Sequence, residues 1–391
     1  MDSIKTTDAD EKLEMVSYID CNNQSSDEIK RNRGVVIDKE SKNEIFLSFG
    51  YTDQFVETEK DEIQNALGNL EDWNFYYSLE ATLIRVAHHE GQWYIMTHKK
   101  LDAFKSRWSC RDTFGDLFET MLSKMLEIPK SENPLQKLYD ELDLNKVYCF
   151  LLKSNFENRI VCQYNYKQER IVYLGCFDKG DVVKLDTNVP DKKIFELFAR
   201  PVQVYATDLQ DLIKKVNDIS YFDYQGIVAA HKVINKQIKI FNSEYYKFFE
   251  LRGNNPNLRF RYLELRNDPE KLKMLYFLYP KSADIFDQYE DTLHKISRMI
   301  YHFYVNRYIK NQFITLPKEE FLIMKKCHDW YLTDRQKNRI FSKRVMEFLM
   351  EEPPLNLYKM IRRFNLNQNL AFHQNVNNKR IFLDTDKSKY N

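Results

Sequence analysis

The sequence predicts an α+β protein in which an antiparallel, β-rich domain is followed by an all-helical C-terminal domain. Three observations carry this. Up to about residue 250, short runs of alternating apolar and polar residues are separated by polar turns, the period of half-buried strands. From Pro269 onward the apolar residues recur every three to four positions instead, the period of packed helices. And 27 Phe and 25 Tyr supply a large core, while only 9 Gly and 10 Pro argue against a low-complexity chain. At 391 residues there is room for two domains. The expected organisation is a partly ordered lead-in at 1–30, the β-rich domain at 31–250, the helical domain at 251–365 and a flexible Asn-rich tail at 366–391, with the seam near 250–268.

The elements follow in order. Residues 1–30 are polar and acidic-leaning, with little apolar periodicity. Gly34–Asp38 and Glu44–Gly50, separated by a polar turn, read as a hairpin. Thr58–Leu70 reads as a short helix. The run Tyr77–Val86 reads as a strand that turns through His88–Gln92 into a second strand from Trp93. Between Asp112 and Leu126 the apolar residues form a helical stripe, and Leu135–Leu142 is helical after a Pro129–Pro134 break. Val147–Leu152, Arg159–Tyr164 and Arg170–Phe177 read as an antiparallel meander. Ile194–Phe198 and Leu209–Val216 read as helices, and Gln225–His231 with Gln237–Phe241 as two further strands. Ser282 is placed to cap a long helix carrying Ile285, Phe286, Tyr289, Leu293, Ile296, Ile300, Phe303 and Tyr304, whose aromatic residues belong to its packed face. Lys318–Leu332, Asp334–Met350 and Leu355–Phe364 complete the helical part, punctuated by Pro317 and Pro353-Pro354.

Composition bounds the function. The net charge of +1 leaves nucleic-acid affinity to local patches. Cysteines 21, 110, 149, 162, 176 and 327 are scattered, with no CxxC pair and no Cys/His cluster at zinc spacing. Free thiols in a reducing compartment, and no structural metal, are therefore expected. No apolar run approaches the ~18 residues of a membrane span, and no signal peptide is recognised, so a cytoplasmic setting without membrane is expected.

The most nucleic-acid-like passage is Lys99–Asp112. Five basic residues, Lys99, Lys100, Lys105, Arg107 and Arg111, stand against two aspartates and interleave with Phe104 and Trp108. A solvated charged loop is the alternative. Near the domain seam, Arg252, Arg259, Arg261 and Arg266 with Asn254, Asn255 and Asn257 could contact phosphates, or pair with Glu250, Glu264 and Asp268 as an ion network. Arg85 could reach a phosphate, or sit on an edge strand paired to a carboxylate. His88-His89 reads as a solvated turn and Cys327-His328-Asp329 as a helix surface, since a catalytic triad needs spatial convergence.

Five segments, in order over residues 33–246, resemble the covalent nucleotidyltransferases, specifically the phage RNA ligase group. Arg33-Gly34-Val35-Val36-Ile37-Asp38 with Phe49 and Phe55 resembles the group's N-terminal hairpin. Ser78-Leu79-Glu80-Ala81-Thr82-Leu83-Ile84 stands where the KxDGSLI motif belongs. Thr97-His98-Lys99-Lys100 with Phe104 and Ser106 resembles the segment after it. Asn158-Arg159-Ile160-Val161 with Tyr164 resembles the NRIV segment. Gln225-Gly226-Ile227-Val228-Ala229 and Ile238-Lys239-Ile240 with Tyr245 resemble the last two motifs. The resemblance implies an antiparallel, ATP-grasp-like nucleotide cradle and a large DNA virus as source, with a virion or viral factory as the setting. It leaves the helical third unexplained.

Such a ligase attacks the α-phosphate of ATP with an uncharged lysine amine and carries AMP covalently, with acidic residues at the metal and a lysine neutralising the phosphate. Here the nucleophile position is Ser78, Glu80 and Ala81 replace Asp and Gly, Leu151 and Leu152 stand where a glutamate is expected, Gln225 replaces the metal-side glutamate, and Lys239 survives while its partner is Phe241. The expected function is therefore noncatalytic recognition of a nucleotide or RNA end. Arg33, Ser78, Glu80, Thr82, Arg85, Asn158, Arg159, Gln225, Lys232 and Lys239 would face the nucleotide. Lys99, Lys100, Lys105, Arg107, Trp108, Arg111, Arg252, Arg259 and Arg261 would face RNA. Two alternatives stay open. One is an active divergent RNA ligase or capping-type guanylyltransferase, taking ATP or GTP with Mg, through a migrated lysine (Lys153, Lys99 or Lys232). The other is a scaffold subunit that holds protein partners on its helical domain.

Overall fold

A computed structural model describes residues 3–154, 160–163 and 170–367. The chain forms two compact units, the first ending at Glu250 and the second beginning at Leu251. Together they make an α+β protein with largely antiparallel sheets and a helical C-terminal region.

Unit 1 runs β1 (Ile4–Ala9), β2 (Leu13–Tyr18), α1 (Asp27–Arg31), β3 (Arg33–Asp38), β4 (Glu44–Phe46), β5 (Asp53–Val56), α2 (Lys60–Leu67), β6 (Trp73–Ser78), β7 (Thr82–His89) and β8 (Gln92–Met96). It continues with α3 (Phe114–Leu126), α4 (Pro134–Tyr139), β9 (Lys146–Lys153), β10 (Arg170–Asp178), α5 (Lys193–Glu196), β11 (Gln203–Val204), α6 (Leu209–Asn217), β12 (Gly226–His231), β13 (Gln237–Phe241) and most of α7 (Ser243–Arg252). The strands form sheets ordered β1-β2-β3-β4, β10-β9-β7-β8 and β11-β6-β12-β13-β5. The last contains one parallel pair, β13 with β5.

Side-chain alternation explains how the layers pack. On β7, Ile84 and Val86 point into a core with Phe118, Met121 and Leu122 of α3. Ala87 points the other way, into a core with Leu13, Met15, Val36 and Phe46 from the first sheet. The third sheet buries Phe75, Ile227, Ala229, Ile238 and Ile240 with Ile63 of α2 and Leu212, Ile213 and Val216 of α6. Helix α3 begins where Thr113 and Asp116 form a reciprocal capping box.

Several expectations are corrected. Residues 4–18 are a paired hairpin and not a loose lead-in. Its outer strand is polar because it is an edge, while Leu13 and Met15 of β2 are buried completely. The single strand expected over Tyr77–Val86 is two strands in different sheets, broken at 79–81. In the expected meander, β9 pairs directly with β10. Of its middle strand, 160–162 are bends, 163 has no regular structure and the remainder lies outside the described residues.

Unit 2 contains α8 (Leu258–Leu265), α9 (Pro269–Leu278), α10 (Ala283–Tyr304) with a π-helical turn at Val305–Ile309, α11 (Lys318–Thr333), α12 (Ser342–Met350) and a helix over 354–367. Its interior is made by Phe286, Leu293, Ile296 and Ile300 of α10, Ile323, Met324 and Cys327 of α11, and Val345 and Leu349 of α12, all fully buried. Ser282 precedes α10 but makes no side-chain cap. The helix expected from Asp334 starts only at Ser342, because the Asp334 carboxylate accepts from the backbone of Gln336 and Lys337 and closes a turn there.

Candidate functional site

The strand ladder of the third sheet builds the site. Ser78, the last residue of β6, pairs with Gly226 at the start of β12, and Gly226 also pairs with Phe241 of β13. A side chain is excluded at 226: its φ is +148°, and a Cβ would stand 2.0 Å from the Ile240 carbonyl oxygen. The Gln225 amide donates to the Ser78 carbonyl at 2.9 Å, which brings the side chains of 78, 225 and 239 together at one end of the sheet.

Those side chains form a continuous network. Ser78 Oγ and Lys239 Nζ both donate to Gln225 Oε1, each at 2.9 Å. Gln225 Nε2 donates to the Tyr245 hydroxyl at 2.8 Å, and that hydroxyl donates to Glu80 Oε2 at 3.0 Å. Glu80 in turn accepts backbone N–H groups from Ile160, from Val161 at 2.9 Å and from Cys162 at 3.2 Å. Ser78, Glu80, Gln225 and Tyr245 are all buried, so the bonds that join these four are made away from water, while Lys239 reaches Gln225 from a partly buried position.

Burial sets the protonation chemistry. It draws the Lys239 amine down to about 8, helped by Arg33 and opposed by Glu80 and Cys162. Burial also pushes the Tyr245 hydroxyl and the Cys162 thiol well up, with Glu80 adding to both. Lys153, at the end of β9, is buried as well, and its amine is lowered by desolvation and then by Arg170. Glu80, Cys162 and Asp223 act in the opposite sense on it.

A second group of cations lies where β3 meets the segment after β8. Gly34, with φ +70°, comes so close that a Cβ would stand 2.7 Å from the His98 carbonyl oxygen and 3.0 Å from Arg85 Nη2. Ser17 Oγ accepts from the Gly34 amide at 2.9 Å and donates to the His98 carbonyl at 3.1 Å. Arg33 Nη1 donates to the Gly50 carbonyl at 3.3 Å. Burial, reinforced by Arg33, Lys99 and Arg85, drives the His98 imidazole down to about 3 and keeps it neutral. Arg85 is wholly buried on a central strand, with one side-chain hydrogen bond among the described residues, Nη2 to the Thr97 carbonyl at 3.0 Å. This corrects the reading of Arg85 as an edge-strand arginine paired to a carboxylate.

The other expected residues divide. Thr82 opens β7 opposite Leu152 and makes none of the network's hydrogen bonds. Lys232 follows the far end of β12, where Trp73 pairs with His231, and its amine caps the Glu71 carbonyl. Six residues of strand at ~3.3 Å each separate it from Gln225, so it is not a site residue. Asn158 and Arg159 lie outside the described residues. Lys99, Lys105, Arg107 and Arg111 are exposed. Lys100 pairs with Asp8 at 3.1 Å and Lys105 with Asp102 at 3.3 Å. Trp108 packs with Phe104 against the α3 core, so it is an anchor of the basic loop and not an open stacking surface. Within unit 2, Arg252 is buried and donates to the Tyr279 hydroxyl and the Asn255 carbonyl. Arg261 binds the Leu251 carbonyl and Glu264. Both are structural, because their donors face protein acceptors. Arg266 pairs with Glu290, not Asp268. Arg259 is exposed and acts on Tyr289.

Tyr245, His98 and Cys162 were not anticipated as site residues. Tyr245 had a sequence signal as the closing tyrosine after the Lys239 motif, and His98 as a member of the Thr97–Lys100 segment; Cys162 had none.

Among the described residues, the cavities on unit 1 include two of note. One of about 520 Å³ is bordered by residues such as Asp143, Lys146, Asp186 and Lys192 and holds none of the network. The other, of about 270 Å³, is lined by Tyr77, Lys215, Asp223 and Tyr224 among others, neighbours in sequence of Ser78 and Gln225. A divalent cation is implied by the ligase resemblance, but the donor set does not fit one. Both Glu80 oxygens already accept protein donors, and the residue beside Ser78 is a neutral amide. Among the described residues no group of three or more His, Cys, Asp or Glu could hold a metal ion. Nor, among them, is any helix long and apolar enough to cross a membrane.

No protein-family model matches the chain. In sequence it is similar to proteins of iridescent viruses. The "Immediate-early protein ICP-46 homolog" of Invertebrate iridescent virus 3 is 29% identical over 354 residues, covering 88% of this chain and 75% of that one. Its namesake in Invertebrate iridescent virus 6 is 27% identical over 341 residues, covering 81% and 74%. The "Immediate-early protein ICP-46" of Frog virus 3 (isolate Goorha) is 27% identical over 210 residues, covering 50% and 51%. These names state no chemistry. Among solved structures, the chain is similar to a putative ATP-dependent DNA ligase from Aquifex aeolicus, with a TM-score of 0.38, 13% identity and coverage of 73% and 72%. It is also similar to an archaeal ATP-dependent RNA ligase, with a TM-score of 0.38, 10% identity and coverage of 72% and 74% in one form. At these scores the ligase likeness carries no argument about activity.

Proposed function

We propose that unit 1 is a catalytically degenerate, RNA ligase-like module that holds a nucleotide or an RNA end without forming a lysyl-nucleotide intermediate. The observation that carries this reading is the shared acceptor at Gln225: the Ser78 hydroxyl and the Lys239 amine both donate to Oε1 at 2.9 Å. A nucleophilic serine needs a base to take its proton. Here the hydroxyl is turned to an amide oxygen, which holds the proton in place and cannot remove it. Lys239 keeps a cation beside it that suits phosphate, with Arg33 close enough to depress that amine further. The exposed Lys99, Lys105, Arg107 and Arg111 would guide a strand toward this end of the sheet, and such contacts weaken steeply with salt.

Titration of the protein with ATP, GTP, capped RNA and single-stranded RNA at low salt tests the reading. Saturable binding that falls with added salt supports it, and no binding to any of the four overturns it. A second reading has one observation in its favour. Lys153 is buried with a lowered amine pKa beside Glu80 and Cys162, the state a migrated nucleophile would need. An acid-labile, alkali-stable adduct with α-labelled ATP or GTP that disappears in Lys153→Met would establish it.

A further inference from the structure

We propose that the buried Arg85, with Arg33 beside it, forms a site for a phosphoryl group that neighbours the Ser78–Gln225 network through Arg33, which also acts on Lys239. In identifying the anion as a phosphoryl group, this rests on the nucleotide or RNA-end reading above. The site itself rests on geometry. Arg85 projects from the centre of the β10-β9-β7-β8 sheet, cross-strand from Met96 and Cys149, on the face that Ala87 packs against the first sheet. It is fully buried there, and its Nε and Nη1 have no hydrogen-bond partner among the described residues. A guanidinium normally holds its place in a core by filling its fork with a carboxylate or with carbonyls. Among the described residues this one binds a single carbonyl, that of Thr97, and beside the Cys149 thiol the ionisable group acting on it is another cation, Arg33.

The surroundings are arranged for an anion. Arg33 and the neutral His98 are only partly buried. The backbone reaches them through Gly34, whose left-handed conformation and lack of a side chain let β3 close onto the Arg85 fork. Cations gathered in one low-dielectric place repel each other, so the arrangement is relieved when a negative group enters. The paired Nε and Nη donors of an arginine match two oxygens of a phosphoryl group. The Cys149 thiol, pushed up to about 12 by burial, stays protonated and cannot supply the missing charge.

The experiment compares full-length wild type with Arg85→Met, which keeps the length of the side chain and removes its charge. Calorimetric titration uses inorganic phosphate at constant ionic strength set by chloride. Wild type is expected to bind phosphate, and Arg85→Met to bind it about ten- to a hundredfold more weakly, the loss typical of a charge-assisted pair. Equal binding by both proteins, or no binding by wild type, overturns the proposal. If Arg85→Met does not fold by circular dichroism, Arg33→Gln decides: weakened binding supports the site and unchanged binding overturns it. Two further ligands find the source of the phosphoryl group. Competition by ATP points to a free nucleotide, and competition by a 5′-phosphorylated but not a 5′-hydroxyl oligonucleotide points to an RNA end. Phosphate binding without any binding of nucleotide or RNA would leave this site standing and remove the broader reading. Nucleotide binding that is indifferent to Arg85→Met and to phosphate would do the reverse.

Discussion

Replacing Lys239 by Met separates a lysine kept for a ligand from one kept for the fold. Burial and Arg33 bring the amine from 10.5 down to about 8, which at neutral pH amounts to roughly 3 kcal/mol against the charged form. Lys239 is only partly buried, so solvent screening reduces this to about 1–2 kcal/mol. The hydrogen bond to Gln225 returns about 1 kcal/mol. Lys239→Met is therefore expected to be as stable as wild type, or up to about 1 kcal/mol more stable, at pH 7. The sign with pH follows from a folded-state pKa that lies below the unfolded one. The penalty is complete below about 8 and fades as pH rises toward 10.5. Wild-type stability should thus gain on the variant between these values, measured by urea unfolding at pH 7 and pH 9.5. Nucleotide affinity should move the other way. The variant should bind about tenfold or more weakly, and wild-type affinity should decline above pH 8 as the free amine loses its proton. A variant that is clearly destabilised at pH 7 and binds nucleotide as wild type does would refute the reasoning, making Lys239 a structural partner of Gln225.

Other substitutions test the surrounding framework. Tyr245→Phe removes the hydroxyl that joins Gln225 to Glu80; it takes the acceptor from the buried Gln225 Nε2, while Glu80 keeps its backbone donors, so the midpoint of denaturation should fall by the equivalent of about 1–3 kcal/mol. Gly34→Ala should lower the melting temperature at least as much as a lost core methylene, because the residue has φ +70° and its Cβ would meet the His98 carbonyl at 2.7 Å. Arg107→Ala combined with Arg111→Ala should leave stability unchanged and reduce the salt slope of single-stranded RNA binding by about 1–2. Trp108→Ala should instead destabilise the protein by about 2–4 kcal/mol, since its ring packs on the α3 core. Calorimetry of the folded variants distinguishes the two cases.

Much of the helical part was legible because its stripes are local. Phe286, Leu293, Ile296 and Ile300 recur at helical spacing and are all buried on one face of α10. Strands were legible where alternation met an apolar neighbour, as in β12 and β13. The break between β6 and β7 was hidden. Glu80 looks like an outward residue in an alternating strand, yet it is buried by backbone donors some eighty residues away. The hairpin of β1 and β2 was missed because an edge strand tolerates Lys, Thr and Asp on both faces. Within the site, Ser78, Glu80, Gln225 and Lys239 were expected together and do meet. Lys232 and Lys239 lie on one hairpin, but only the direction of the strands decides which of them faces Ser78. Trp108 and Phe104, interleaved with basic residues, resemble a stacking surface in sequence. In the structure the approach of Gly115 to the Phe104 ring, within 2.5 Å of where a Cβ would stand, shows that the aromatic pair is packing. For Arg85 the sequence left a phosphate contact and an edge-strand ion pair both open, since whether an arginine is paired depends on contacts far along the chain.

The central claim is that nucleotide is held but not bonded. Native mass spectrometry of the protein with ATP or GTP and magnesium measures this most directly, with the same sample remeasured after denaturation. The expected result is a nucleotide-bound species under native conditions and the unmodified chain mass once the protein is unfolded. A denatured chain heavier by one nucleoside monophosphate, or the absence of any bound species under native conditions, would contradict the account.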